Sequence, residues 1–436
     1  MRSVAFHTLG CKVNQYETEA IKEMFSDEGY EVVTFDQKAD VYIINTCTVT
    51  NMADKKSRQM ISKAKKINSK SIIVVIGCYA QIAGEKILEI EGVNLVIGSD
   101  RKNEIVKLVE QCLHDNTKIN VVDNIRKITK FENLSVRNNT DKTRGYIKIQ
   151  DGCNQYCSYC IIPYTRGPIR SRNIKNIVDE VNKLVDNGYK EVVLTGIHVA
   201  SYGKDLDNIN LLDVIKIIHD IDGIKRIRLS SIEPTMVEEK FVQAIDKLPK
   251  VCPHYHLSLQ SGCNKTLKEM NRKYTTEKFL ESVNLLRNYI KDVSLTTDII
   301  VGFPGETDED FNTTLEFVRK VNFNDIHVFK YSPREGTPAA KRKDQIQSSI
   351  KDIRSHKLIE LKNQLKLENI KKHVGLEKKV LIENYSNKNE AYEGYTGNYI
   401  KVFVKTDENI VNEIVNVKLE NMKMLNTCEG IEGNLV

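Results

Sequence analysis

The stretch DGCNQYCSYC at residues 151–160 gathers three of the chain's ten cysteines, Cys153, Cys157 and Cys160. It directly follows GYIKIQ, a short segment whose pattern predicts a buried strand. A structural zinc ion usually takes four protein ligands, but no fourth thiol lies close by and the nearest histidine is His198. Three thiolates without a local fourth ligand suit a [4Fe–4S] cluster that leaves one iron open. The sequence therefore predicts an iron–sulfur site on the loop after this strand.

Five further segments downstream share this strand pattern and alternate with helical patterns. They cover residues 190–196, 225–231, 254–260, 293–302 and 325–332. Alternating strands and helices predict a parallel sheet with helices on its faces. Six such units are fewer than the eight that close a barrel. We therefore predict an α/β region over 137–372 that forms a partial (βα)6 barrel, entered through a polar linker at 137–144.

Three segments near the N-terminus each run apolar and then stop at a cysteine, namely Cys11, Cys47 and Cys78. Helical patterns separate the segments, so residues 1–136 predict a second α/β domain with an open parallel sheet. The cysteines then lie at carboxyl ends of strands, where such sheets bind their ligands. A single cysteine there would be packing, but three at equivalent positions favour a second site. We expect these thiols to converge.

Residues 373–436 change to alternating β-type segments, such as KKVLIENYS and NYIKVFVKT. This pattern predicts a small all-β barrel of the OB-like kind, which is often used to bind RNA.

The composition is that of a globular protein, with 40% hydrophobic and 28% charged residues among 436. No apolar run approaches the roughly 20 residues of a membrane span, and the N-terminus lacks a signal-peptide pattern. We expect a cytoplasmic protein without membrane contact. In that reducing compartment clustered cysteines are metal ligands or redox groups rather than disulfides.

The net charge of +6 is spread unevenly. The run at 55–70 has seven basic residues and no acid, and a second basic group follows the cysteine triplet. Basic groups beside a reactive centre predict a polyanionic substrate such as RNA, although a solvated helix face explains the first run equally well. The candidate RNA-binding residues are Lys55, Lys56, Arg58, Arg166, Arg170 and Arg172.

The cysteine triplet resembles a family signature. CNQYCSYC fits the CxxxCxφC motif of the radical S-adenosylmethionine (SAM) superfamily, with Tyr159 as the aromatic residue. LGCKVNQYE, NTCTV and GCYAQ resemble the three N-terminal cysteine motifs of the methylthiotransferases within it. LTGIHVASYG, LSLQSG, MNRKYT and DIIVGFPGET resemble their barrel motifs. The resemblance covers all three predicted regions in order and implies that the C-terminal barrel is a TRAM domain.

The resemblance implies SAM and two [4Fe–4S] clusters as cofactors. Cys153, Cys157 and Cys160 would hold the cluster that binds SAM, and Cys11, Cys47 and Cys78 would hold the second cluster. The implied cofactor-binding residues at strand ends are Thr195, Gly196, Glu233, Gln260, Gly302, Pro304 and Glu306. Such enzymes replace an unactivated C–H hydrogen by CH₃S, which requires a radical supplied by the cofactor. A second SAM supplies the methyl group.

Within the family, LGCKVNQYETEAI and CIIPYTRGPIRSR most resemble the threonylcarbamoyladenosine tRNA methylthiotransferases. Those act at C2 of the modified adenosine 37 in the tRNA anticodon loop, whose bases splay out readily. The isopentenyladenosine enzymes are the alternative, but they usually have Gln-Met where this chain has Lys12 and Val13. A non-catalytic iron–sulfur or zinc RNA-binding protein is the alternative from another class. The enzyme would also need an electron donor, which the sequence does not identify.

Overall fold

The structure, a computed structural model, describes residues 1–115, 117–137, 143–424 and 428–436. The linker predicted at 137–144 therefore lies mostly outside the described residues. Within the described ranges, no helix combines the length and the apolar character that crossing a bilayer requires.

The N-terminal region is a six-stranded parallel sheet covered by helices on both faces. Its elements are β1 (Ser3–Thr8), α1 (Lys12–Asp27), β2 (Glu31–Val33), β3 (Val41–Thr46), α2 (Asn51–Ile67), β4 (Ile72–Gly77), α3 (Cys78–Leu88), β5 (Val93–Ile97), α4 (Ile105–Asp115) and β6 (Ile119–Val121). The strand order is β2-β1-β3-β4-β5-β6. The three strands that end in cysteines, β1, β3 and β4, are therefore immediate neighbours.

The central region contains the six predicted parallel strands, with helices packed against their outer faces. Its elements are β7 (Arg144–Asp151), α5 (Ile162–Arg166), β8 (Arg170–Ser171), α6 (Ile174–Asp186), β9 (Glu191–Gly196), α7 (Leu211–His219), β10 (Arg226–Leu229), α8 (Glu239–Asp246), β11 (His254–His256), α9 (Asn264–Glu269), α10 (Thr276–Tyr289), β12 (Ser294–Val301), α11 (Asp308–Val321), β13 (Asp325–Lys330) and α12 (Ser348–Lys371). Isolated parallel bridges join β10 to the segment of β11. The strands run from β7 to β13 without closing, so the predicted partial barrel is confirmed.

The C-terminal region is a closed five-stranded barrel, which confirms the predicted all-β fold. Its strands are β14 (Glu377–Ser386), β15 (Ala391–Thr396), β16 (Lys401–Val404), β17 (Ile414–Met424) and β18 (Cys428–Leu435). The exact domain boundaries at 136/137 and 372/373 stay predictions.

The C-terminal barrel docks at the amino-terminal end of the central strands. Arg144, the first residue of β7, forms an ion pair with Glu383 at 2.7 Å and donates to the Tyr399 hydroxyl at 3.0 Å. Arg228 on β10 donates to the Gly397 carbonyl at 3.0 Å, and its guanidinium lies 4.5 Å from the centre of the Tyr399 ring. The C-terminal barrel therefore lies at the opposite end of the central strands from the loop that carries the cysteine triplet.

The N-terminal region joins the central barrel through a buried charge network. Glu17 on α1 is fully buried, and its carboxylate accepts from Arg166 at 2.5 Å and from Lys148 on β7 at 2.7 Å. Asp151, at the end of β7, pairs with Lys148 at 2.5 Å. Lys102 approaches Glu17 to 3.6 Å. Because buried charges require partners, this network fixes how the two regions sit against each other.

Candidate active site between two cysteine triads

The loop after β7 folds the first cysteine triad into a tight turn. The backbone N–H of Cys153 donates to the Gly167 carbonyl at 3.0 Å, and that of Cys160 donates to the Cys157 carbonyl at 2.9 Å. Gly152 begins the loop with φ +73°, and a Cβ there would lie 1.8 Å from the Pro168 carbonyl oxygen. Only glycine fits such a position. Cys153 and Cys157 are buried in this loop, and Cys160 is partly exposed.

Arg272 supplies positive charge to this triad. Its guanidinium donates to Cys157 Sγ at 3.2 Å and to Glu233 at 2.7 Å, and His198 Nε2 lies 3.4 Å from the same carboxylate. Burial alone raises the pKa of Glu233, but the hydrogen bond from His198 and the charge of Arg272 outweigh it, so the pKa lies below its ordinary value. Glu233 is therefore ionised and anchors the arginine against the sulfur.

The second triad forms where β1, β3 and β4 end side by side. Cys11 precedes α1, Cys47 follows β3, and Cys78 begins α3. Gly10 adopts φ +106°, and a Cβ there would lie 3.0 Å from Cys47 Sγ, so glycine leaves room for this thiol. Burial, together with the neighbouring thiols of Cys78 and Cys11, raises the pKa of Cys47 to about 12. Cys47 therefore stays a protonated thiol at neutral pH unless a metal centre binds it.

Arg166 plays the same part at the second triad that Arg272 plays at the first. Its Nε–H donates to Cys78 Sγ at 3.2 Å, while its other nitrogens bind Glu17 and the Asn14 side chain, the latter at 2.6 Å. Hydrogen bonds to ligating sulfurs tune the potential of an iron–sulfur cluster. Each triad thus has one sulfur that accepts from a buried arginine.

A cavity of 210 Å³ is lined by Cys160 of the first triad and by the segment that follows Cys47 of the second triad. Val49 and Thr50, directly after Cys47, form one wall, and Cys160 with Gln260 belongs to the other. Gln260 adopts φ +70° at the end of its strand segment. The lining residues are Val49, Thr50, Tyr159, Cys160, Ile161, Ile162, Gln260, Asp298, Ile300, Phe329, Lys330, Tyr331 and Ser332. The geometry thus brings one thiol of the first triad and the segment after Cys47 to a single apolar-walled space.

The other predicted cofactor residues lie at carboxyl ends of central strands. Thr195 is buried at the end of β9. Gly196 follows it, and a Cβ there would lie 2.9 Å from the Gln150 carbonyl oxygen. Cofactor contact by these residues stays a prediction.

The segment from Gly302 to Glu306 forms a turn after β12, with Pro304 buried inside it. The Glu306 carboxylate accepts from the Gly302 N–H at 2.7 Å and from Arg354 at 2.7 Å. Glu306 therefore closes this turn and holds Gly302, and its contact with the cofactor stays a prediction.

The prediction that Arg166, Arg170 and Arg172 contact RNA is wrong for this structure. All three side chains are at most 2% exposed. Arg166 pairs with Glu17 at 2.5 Å, and Arg172 forms an ion pair with Glu180 on α6. Arg170 donates to the carbonyl of Arg166 at 2.8 Å and approaches Asp151 to 3.7 Å. Buried carboxylates neutralise these charges, so none is available to a phosphate.

The first basic group lies at the surface, unlike the three buried arginines. Lys55, Lys56 and Arg58 are exposed on the first turns of α2, which begins four residues after Cys47. Arg58 donates to the Tyr79 hydroxyl at 2.9 Å. These cations follow Cys47 of the second triad along the chain and face solvent, as contact with RNA requires.

Residues 147–318 match the family model described as the Radical SAM superfamily, and residues 3–98 match the one described as Uncharacterized protein family UPF0004. The "Threonylcarbamoyladenosine tRNA methylthiotransferase MtaB" of Bacillus subtilis (strain 168) is 44% identical over 96% of this chain and 94% of its own length. The chain belongs to the radical SAM methylthiotransferase family.

Two further comparisons concern a second relative and a solved structure. The "tRNA-2-methylthio-N(6)-dimethylallyladenosine synthase" of Finegoldia magna is 36% identical over 94% of this chain and 90% of its own length. The radical SAM methyltransferase TsrM from Kitasatospora setae, solved with cobalamin and a [4Fe–4S] cluster, superposes with a TM-score of 0.59 at 15% identity, covering 78% of this chain and 77% of TsrM. That likeness concerns the fold alone.

Methylthiotransferases of this family are enzymes that transfer sulfur-containing groups and use SAM with two [4Fe–4S] clusters. The two triads fit two such clusters, because each offers three thiols and an arginine donor. Sequence reasoning missed Arg272 and the second role of Arg166. The motif MNRKYT contains Arg272 and was the available signal for it.

Proposed function

We propose that this methylthiotransferase replaces the hydrogen at C2 of N6-threonylcarbamoyladenosine at position 37 of tRNA with a methylthio group. The observation that carries the proposal is one cavity lined by residues of both cysteine-bearing regions. A reaction that removes a hydrogen at one cluster and adds sulfur from another needs both within reach of the same carbon. We further propose that residues 1–136, 137–372 and 373–436 form three domains. We also propose that the enzyme acts in the cytoplasm.

The chain contributes binding and positioning. Cys153, Cys157 and Cys160 would hold the cluster that binds SAM, and Cys11, Cys47 and Cys78 would hold the sulfur-delivering cluster. When bound, these groups supply the radical, the sulfur and the methyl group. The apolar walls of the cavity, including Ile161, Ile300 and Phe329, exclude water from the reacting carbon.

The choice of threonylcarbamoyladenosine rests on the relatives. The Bacillus subtilis relative named for that nucleoside is 44% identical, whereas the Finegoldia magna relative named for dimethylallyladenosine is 36% identical. An anticodon loop suits the cavity, because a splayed base can leave the RNA stack and enter a pocket. A separate electron donor would reduce the cluster on the loop after β7.

The test is methylthiolation in vitro by the anaerobic, cluster-loaded protein. One tRNA carries threonylcarbamoyladenosine at position 37 and a second carries isopentenyladenosine there. We expect the methylthio product, detected by mass spectrometry of nucleosides, from the first tRNA only. Turnover of the second alone would move the chain to the alternative substrate. Turnover of neither would refute the RNA substrate.

We expect exposed cations of α2 to contact the tRNA backbone. The double variant Lys55→Gln/Lys56→Gln should weaken tRNA binding and reduce the slope of log K against log salt by about 0.7 for each single-strand phosphate that the two lysines no longer neutralise. Lys63→Gln is the matched control, because Lys63 lies on the same helix and its ammonium already pairs with Asp36. Titrations at several salt concentrations measure the slope. An unchanged slope in the double variant would place the RNA elsewhere.

A further inference from the structure

A second group of metal-ligand side chains lies in the central barrel, apart from the cysteines. His256, Asp298 and His327 come from the neighbouring strands β11, β12 and β13, and their ligand atoms all lie within 4.8 Å of one another. Tyr255 and Leu257 on either side of His256 pack in the hydrophobic core between strands and helices. Side chains alternate along a strand, so His256 faces the lumen of the barrel.

The ring of His256 is held in the orientation that a metal ligand needs. Its Nδ1 lies 3.0 Å from the Thr296 hydroxyl, and its Nε2 lies 3.3 Å from Asp298 Oδ2. Nε2 is buried and has no hydrogen-bond partner among the described residues. Ligating histidines commonly donate their second ring N–H to a polar neighbour. With Nδ1 donating to Thr296, the Nε2 lone pair faces a carboxylate oxygen, a contact that a cation between them would make favourable.

His327 completes the group from the exposed side. Its ring centre lies 5.8 Å from that of His256. Its ligand atom lies within 4.8 Å of those of His256 and Asp298. The side chain is exposed, so a cation can reach the group from solvent.

We propose that His256, Asp298 and His327 bind a divalent cation in the barrel lumen. Two imidazoles and one carboxylate are a donor set that Zn²⁺, Fe²⁺, Mn²⁺ and Co²⁺ accept. Three protein ligands leave coordination positions for a further ligand, as in catalytic rather than structural metal sites.

The open positions face the candidate active site, because Asp298 also lines the 210 Å³ cavity. A role of the cation in substrate recognition rests on the proposed function. A threonylcarbamoyl group carries a carboxylate and a hydroxyl, whereas an isopentenyl group offers no oxygen. Asp298 alone would repel that carboxylate, and the ammonium of Lys330 in the same wall is already paired with Asp352 at 2.6 Å. A cation held by the three residues would bind the substrate carboxylate and exclude the apolar modification.

Binding of Mn²⁺ tests the site without relying on activity. The probe is Mn²⁺ added anaerobically to protein whose [4Fe–4S] clusters are oxidised and diamagnetic, followed by electron paramagnetic resonance. We expect one bound Mn²⁺ that Zn²⁺ displaces, and at least about tenfold weaker binding in His327→Asn and Asp298→Asn. His114→Asn is the matched control, because His114 forms an exposed pair with Asp115 outside the barrel. Equal binding by His327→Asn and the wild type would overturn the proposal.

The role of the cation in substrate recognition is tested by a separate measurement. We expect tRNA with threonylcarbamoyladenosine to alter the spectrum of bound Mn²⁺, and tRNAs with isopentenyladenosine or unmodified adenosine to leave it unchanged. A spectrum unaffected by all three tRNAs would overturn the role in substrate recognition. A response only to isopentenyladenosine would leave the cation site standing and refute the proposed substrate, so the two failures are distinguishable.

Discussion

The Cys157→Ala variant is expected to lose reductive cleavage of SAM, and the Cys47→Ala variant to keep it while losing methylthio transfer. The reason is that the two cysteines belong to separate triads, one on the loop after β7 and one at the ends of β1, β3 and β4. Each triad has its own arginine donor, Arg272 at 3.2 Å from Cys157 Sγ and Arg166 at 3.2 Å from Cys78 Sγ. Loss of one ligand therefore leaves the other site intact.

Iron analysis and 5′-deoxyadenosine formation measure this separation. We expect about eight irons per chain in the wild type and about four in each variant, at four per cluster. Cys263→Ser is the control, because Cys263 is buried away from both triads and its Sγ lies 3.5 Å from Asp310 Oδ1. Loss of all iron from Cys47→Ala would show that the sites are not independent. Loss of iron from Cys263→Ser would mean that the wrong thiols were assigned.

The Glu17→Gln variant is expected to lose about 3–5 kcal/mol of apparent unfolding free energy, the usual cost of removing one partner of a buried ion pair. Glu17 is fully buried between the N-terminal region and the central barrel, and Arg166, Lys148 and Lys102 all depend on its charge. Denaturant unfolding of the cluster-loaded protein measures the change.

The matched control for this variant is Glu110→Gln. Glu110 pairs with Arg2 and also accepts from the Tyr30 hydroxyl. Both side chains of the ion pair are about half exposed, and such surface pairs contribute about 0–1 kcal/mol. Equal losses in the two variants would show that the buried network does not hold the regions together.

The stabilisation by Glu17 has a defined pH dependence. Burial alone raises its pKa, but Arg166, Lys102 and Lys148 lower it by more, so the pKa lies far below its ordinary value. A carboxyl group with a depressed native pKa stabilises the fold above its unfolded pKa and loses that contribution as the pH falls. The difference between wild type and Glu17→Gln should therefore be constant from pH 7 to 5 and shrink below about pH 4.

The positions of the six cysteines could be predicted because their signal is local. Each N-terminal cysteine ends an apolar strand pattern, and parallel strands bring their carboxyl ends together. The predicted strands of the central barrel follow from the same local alternation. The structure agrees, since β1, β3 and β4 are adjacent and all end at one edge of the sheet.

The burial of the arginines could not be predicted from such a local signal. Arg166 lies in a basic stretch, but its partner Glu17 is 149 residues away on another part of the fold. A run of positive charge does not reveal whether it faces water or a distant carboxylate. The group formed by His256, Asp298 and His327 could not be predicted from the sequence either, although HYHLSLQ places His254 and His256 on one strand face. Asp298 and His327 lie opposite each other only through the register of β12 and β13.

The docking of the C-terminal barrel sets a minimum footprint for the RNA. That barrel contacts Arg144 at the start of β7, and the cysteine loop begins at Gly152, just past the end of the same strand. Eight residues of strand at about 3.3 Å each separate the two ends by about 26 Å. An RNA that touches both must extend over this length. The length of β7 thus sets the distance between the two ends of the central region. Any contact of the C-terminal barrel with the RNA is therefore remote from the nucleotide in the cavity.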